Sequence, residues 1–157
     1  TVQNLLIYAV TRQTAAEVVM KRADAEDLHF GLMHWHGDKV RKQDIVIAKN
    51  YLTEDEIDTL NRLVVIFLET AELRARNRQE TRMLFWKENV AQIITSNGFP
   101  LLEHAGSVSH EQMKQRTSAL YKEFDQQRRI EEAKKADLED EAELKTIESK
   151  VKNRKKK

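Results

Sequence analysis

One proline and four glycines in 157 residues constrain this chain more than any motif does. These two residue types ordinarily make up about 12% of a protein and supply most of its tight turns. With so few of them, connections are scarce and the elements between them long, which excludes a sandwich or barrel of short strands. Three capping boxes then mark where helices start. Thr14-Ala-Ala-Glu17, Thr53-Glu-Asp-Glu56 and Ser109-His-Glu-Gln112 each put a hydroxyl three residues before a Glu or Gln, so that each side chain satisfies the other's free backbone N–H.

Apolar spacing fills in the elements. A first helix is predicted over about Val2–Val10 with Leu5, Leu6 and Ala9 inward, and a second over about Thr14–Arg22. Ala23–Lys39 holds Gly31 and Gly37 and no sustained period, so it reads as a loop that tucks Phe30, Leu32 and Trp35 against the body. Ile45, Val46 and Ile47 predict a short extended segment over Asp44–Asn50. The third helix, Thr53–Arg76, is expected at the centre. Its predicted inner face is Ile57, Leu60, Val64, Phe67, Leu68, Ala71 and Ala75, and the unbroken run Leu63–Leu68 implies enclosure on most sides. The fourth, about Thr81–Ser96, carries Met83, Trp86, Val90 and Ile93 inward and stops at Asn97-Gly98 before Pro100, with Leu101 and Leu102 pinning the next loop to the core. The fifth keeps an apolar side through Met113, Thr117, Leu120, Tyr121 and Phe124.

The fold class is therefore mostly α: about five helices around one central helix, a short extended segment before it, and a long charged carboxy-terminal helix or tail. Residues 1–127 carry 16 basic and 18 acidic groups, whereas residues 128–157 carry 11 and 8, so the expected division is a helical domain at 1–127 and a tail at 128–157. In the tail Ile130, Leu144, Ile147 and Val151 fit a seam, while Asp137 and Asp140 interrupt it. A solvated helix fraying into a basic tip is expected there, and a homo-oligomer through this helix is the alternative. No cysteine is present, which excludes disulfides and thiolate chemistry and suits a reducing compartment. No apolar run approaches the ~20 residues needed to cross a bilayer, so a cytoplasmic protein with no membrane partner is expected. Helical spacing is already under way at Val2, and the chain reads as a piece of a longer protein.

Val40–Glu56, with Trp35 and Gly37 ahead of it and Asp58, Leu60 and Asn61 behind, resembles the carboxy-terminal region of the RhuM-type virulence proteins of bacteria. The resemblance extends more loosely over Thr1–Asn4, Thr14–Glu17, Ala71-Glu72, Met83, Trp86 and Gly106–Ser109, and reaches to about residue 129. It implies a bacterial, cytoplasmic protein linked to mobile elements or defence. It also implies a preceding amino-terminal segment of helix-turn-helix type, through which the whole protein would meet DNA. The virulence label of the family reflects genomic setting and carries no agreed reaction.

Candidates for chemistry are few. His34 and His36, with His29 and Asp38 nearby, offer metal donors, but a two-apart pair in a loop lacks the helical i, i+4 geometry of a zinc site, and the family pattern has other residues at both positions. His104, Ser107, Ser109 and His110 bring hydroxyls near imidazoles without a nucleophile elbow, and Ser109 is better used as a cap. The glycines are too far apart to cradle a phosphate, and the His-Pro-Phe signature of Fic-type transferases is missing. No catalytic, metal or cofactor set is nominated.

Cationic residues are more suggestive. Arg74, Arg78 and Arg82 recur at four-residue spacing, so a continuous helix would align them as a stripe. By resemblance the Lys49-Asn50-Tyr51-Leu52 turn has the best claim to a shared functional role, its plainer reading being a strand-to-helix junction whose Asn bonds backbone groups. Lys39, Arg41, Lys42 and Lys49 form a second cationic cluster. Their plainer role is a solvated face balanced by Glu72, Glu80 and Asp44. Six of the last eight residues are Lys or Arg, a contact for polyanions at large. Trp35, Tyr51 and Trp86 sit among apolar neighbours and read as core or core-rim aromatics. The expected function is a non-catalytic interaction or assembly domain that contributes to DNA binding. An enzyme of unrecognised type acting on nucleic acid or nucleotide is the alternative.

Overall fold

The computed structural model describes the backbone of residues 2–80 and 82–154, and side chains as far as residue 148, residue 81 excepted. Among these residues the protein is mostly α, with five α-helices and no strand: α1 Val2–Thr11, α2 Ala15–Arg22, α3 Glu54–Arg76, α4 Met83–Ser96 and α5 His110–Arg154. The start expected at Thr81 and the seam side chain of Val151 lie outside the described residues.

The chain forms two compact units, Thr1–Tyr121 and Lys122–Lys157. In the first, α1 packs on α2, α3 and α4, while α3 also meets α4. The expectation of α3 as an enclosed hub is corrected. Only Leu60 and Leu63 of α3 are buried, Leu68 and Ala75 of the predicted inner face are exposed, and so are Val65 and Ile66 in the middle of the apolar run. The short apolar α1, with Leu6, Ile7 and Ala9 buried, takes the inner position, and a 23-residue α3 is too long for one such neighbour to cover. In α4, Val90, Ile93 and Ile94 are buried, but Met83 is 70% exposed, because it is the first residue of its helix and overhangs the packed part.

The extended segment expected over Asp44–Asn50 is also corrected. Two 3₁₀ turns, Asp44–Val46 and Ala48–Tyr51, occupy it. No strand lies nearby to complete a ladder, and local side chains satisfy the backbone instead. The Asn50 amide donates to the Asp44 carbonyl (3.0 Å), the Tyr51 hydroxyl to the Ile45 carbonyl (2.7 Å), and the Arg41 N–H to the Asp44 carboxylate (2.9 Å). Ile45, Ala48, Tyr51 and Leu52 are thereby buried, and burial pushes the Tyr51 phenol above its ordinary range so that it stays a donor.

The Ala23–Lys39 stretch is a loop, as the sequence implies, and it buries Phe30 and Leu32. The Asp27 carboxylate accepts the N–H groups of His29 and Gly31, which holds it below the usual carboxylate range. Gly31 has φ +75°, and a Cβ there would lie 2.0 Å from the Arg22 carbonyl oxygen, so only glycine fits this crossing over the end of α2.

The second unit is the continuation of α5. Arg128 and Arg129 both pair with Asp125, and Lys145 with Glu141 (3.6 Å), in the i, i+3 and i, i+4 pattern of a solvated helix. Ile130, Leu138, Leu144 and Ile147 are exposed.

Candidate functional site

The three capping boxes form as expected, and two of their glutamates do a second task that the sequence does not show. Glu17 accepts the Thr14 N–H through one carboxylate oxygen (2.7 Å) and, through the other, both the N–H (2.7 Å) and the hydroxyl (2.6 Å) of Ser107. These donors hold the Glu17 carboxyl at about 2, well below its ordinary 4.5. Beside them Gly106, at φ +87°, passes so close to Thr14 that a Cβ would meet its side chain at 2.8 Å. Glu56 accepts the Thr53 N–H (2.9 Å) and also takes a bidentate pair from Arg22, with both N···O distances 2.6 Å. The same Arg22 guanidinium donates to the Tyr51 carbonyl (2.7 Å). The motifs that carry the family resemblance thus meet as clamps: Thr14–Glu17 with Gly106-Ser107, and the start of α3 with the end of α2.

The Arg22 bond to the Tyr51 carbonyl ties the 3₁₀ ledge to α2; Lys49 lies on that ledge and Arg41 and Lys42 just before it, all three exposed. Asn50 does not join them. Its amide is taken by the Asp44 carbonyl, and its own carbonyl accepts the N–H groups of Met33 and His34. The arginine stripe does not form on one helix. Helix α3 ends at Arg76, Arg78 lies beyond it at φ +53°, and Arg82 is the N-cap of α4. Arg74 turns inward, its guanidinium 3.7 Å from the centre of the Phe85 ring.

The His29 ring packs on Trp35 at 4.4 Å between centroids, and among the described residues no three His, Asp or Glu side chains converge as a metal site would require. The His104 Nδ1 accepts the Gly106 N–H, Ser107 is bonded to Glu17, and Ser109 caps α5 by accepting the Gln112 N–H. His104, Ser107 and Ser109 are thus each engaged by a backbone or carboxylate partner.

What the sequence reading missed is the outer face of α3. Val65, Leu68 and Leu73 are 56%, 56% and 61% exposed, and Ile66 is 40% exposed. Alongside runs an open groove of about 670 Å³, lined by Thr59, Leu63, Ile66, Asn97 and Phe99 among others. Exposed apolar side chains gathered in one place mark an interaction surface. The signal was present as the run Leu63–Leu68, which is apolar all round and reads equally as a core helix or as one with a second, outward-facing partner surface. Arg62 pairs with Asp58 (2.8 Å) and Arg76 with Glu72 (2.5 Å) at either end of this face.

The family model for the virulence protein RhuM family matches residues 1–132, and the chain belongs to that family. No curated protein and no solved structure matches it.

Proposed function

Starting from membership of the RhuM family, we propose that this chain is a non-catalytic interaction and assembly domain of a virulence-associated bacterial protein, and that it contributes to DNA binding by the longer, cytoplasmic protein. The observation that carries the reading is the exposed apolar face of α3 with its groove, outside the core and framed by charged pairs. The DNA contribution draws on Arg41, Lys42 and Lys49, exposed cations on or just before a ledge whose backbone is held by Asp44, Asn50 and Tyr51. Arg78 and Arg82 are exposed cations between α3 and α4 that add to the field without forming a stripe.

The test compares two sets of variants in the full-length protein. Ile66→Arg with Leu73→Arg lies outside the core, so the melting temperature holds while DNA affinity falls at least about tenfold through lost assembly. Arg41→Glu, Lys42→Glu and Lys49→Glu together reduce the slope of log affinity against log salt by about three, one for each phosphate contact removed. Unchanged DNA affinity in the first set overturns the assembly reading. An unchanged salt slope in the second removes the ledge from DNA binding.

A further inference from the structure

The outer face of α3 has a charge order that is its own complement. Asp58, Arg62, Val65, Glu69, Glu72 and Arg76 are all exposed and recur at alternating spacings of four and three, which on a helix of 3.6 residues per turn forms one stripe. Its two ends carry pairs of the same order: acid then base at Asp58–Arg62, and acid then base again at Glu72–Arg76, fourteen residues on. An antiparallel copy of the helix reads that order backwards. With a two-fold axis level with Phe67, Asp58 of one copy faces Arg76 of the other, Arg62 faces Glu72, and the exposed apolar residues Ile66 and Leu68 lie at the centre. Both charged positions meet their opposite, twice over, because an isologous interface repeats every contact.

The groove agrees with this register. A two-fold axis perpendicular to antiparallel helices keeps each lateral side of one helix next to the same side of the other. Ile66 and Leu73, seven residues apart, share one side of the stripe, which is the side where the groove opens toward Phe99. Leu73 of the second copy arrives level with Asn61, beside the hollow lined by Thr59, Leu63 and Ile66. The 61% exposed leucine therefore has a socket of apolar lining, and gives one in return. The aligned dipoles of two antiparallel helices add to the same preference.

We infer that the partner of this face is a second copy of the chain, docked as an antiparallel α3 pair with Arg62 opposite Glu72 and Leu73 in the groove of its neighbour. This deepens the interaction reading above by naming the occupant of the same surface. The experiment is sedimentation equilibrium of the whole chain over a concentration series, for the wild type, Arg62→Glu, Glu72→Arg, and an equimolar mixture of the two variants. Each variant alone faces like charges at both ends and dimerises at least about tenfold more weakly than wild type. The mixture restores opposite charges at both ends, so a heterodimer returns with near wild-type affinity, a result that a folding defect in either variant would not give. Leu73→Arg abolishes the dimer while the melting temperature, read at a concentration where the wild type is monomeric, is held.

A wild type that stays monomeric up to high concentration overturns the inference, as does a dimer untouched by every α3 variant but lost on Leu144→Glu with Ile147→Glu, which would assign self-association to α5. If the chain is monomeric while Ile66→Arg with Leu73→Arg still weakens DNA binding by the full-length protein, the interaction reading stands and the second copy does not.

Discussion

Glu17 shows how much one side chain is asked to do. As a capping-box residue it needs only one oxygen, and the second is free to fasten the Gly106-Ser107 loop. Folding lowers its carboxyl from 4.5 to about 2. Between those values the unfolded chain binds a proton that the folded chain does not, so Glu17 contributes stability that is present above about pH 4.5 and is lost as pH falls toward 2. Glu56, lowered by its Arg22 pair, acts in the same direction. Acid titration of the melting temperature is therefore expected to fall across this window, and Glu17→Gln to flatten the fall, since it carries no titrating charge. Gly31 gives a second prediction at this scale. Gly31→Ala is expected to cost more than about 2 kcal/mol, because its positive φ is strained and its Cβ would overlap the Arg22 carbonyl. Gly98→Ala has a similar φ with open space around it, and is expected to cost only about 1 kcal/mol in the same denaturation measurement.

At the scale of the element, α3 separates what packing demands from what a surface offers. Leu63→Ala, at a buried position, is expected to destabilise by about 2–5 kcal/mol, whereas Leu68→Ala, on the exposed face, should change stability by less than about 0.5 kcal/mol in the monomer. Chemical denaturation of the two variants checks the contrast. The helix starts were legible because Thr14, Thr53 and Ser109 act through bonds that span three residues, and local chemistry decides them. The inward face of α3 was only half legible. Leu60 followed from spacing, but Leu68 and Ala75 depend on how far the neighbouring helices reach, and nothing in the helix's own residues records that. The 3₁₀ turns at Asp44–Tyr51 were read as extended because Ile45, Val46 and Ile47 favour that state, while the bonds from Asn50 and Tyr51 that reverse it connect residues six apart.

The whole molecule adds what neither residues nor elements reveal alone. The candidate site of the sequence reading was cationic, and the structure keeps Arg41, Lys42 and Lys49 on the surface while occupying Asn50 and turning Arg74 inward. Helical alignment of Arg74, Arg78 and Arg82 failed because α3 stops at Arg76, and no proline or glycine between them announced the stop. The apolar face was legible as composition but not as exposure, since exposure is a property of the assembled helices. Residues 128–154 lie in α5 and the side chains described there, 128–148, are almost all exposed, so removing the chain from Arg128 onward is expected to leave the melting temperature nearly unchanged. Thermal melts of the full and shortened chains at two concentrations check this, and a large loss at both would mean that the tail supports the rest of the chain.

The Glu17–Ser107 bond joins residues 90 apart in the chain. Closing a loop of that length costs about 4 kcal/mol of chain entropy, and doubling it would add only ~0.6, so the expense is modest but the search is long. Helices α1 and α2, of ten and eight residues, are marginal on their own in water, and the second oxygen of Glu17 has nothing to hold until the chain has been made past Ser107. Helices α1 and α2 therefore precede the rest of this unit in synthesis and are among the last of it to be fastened.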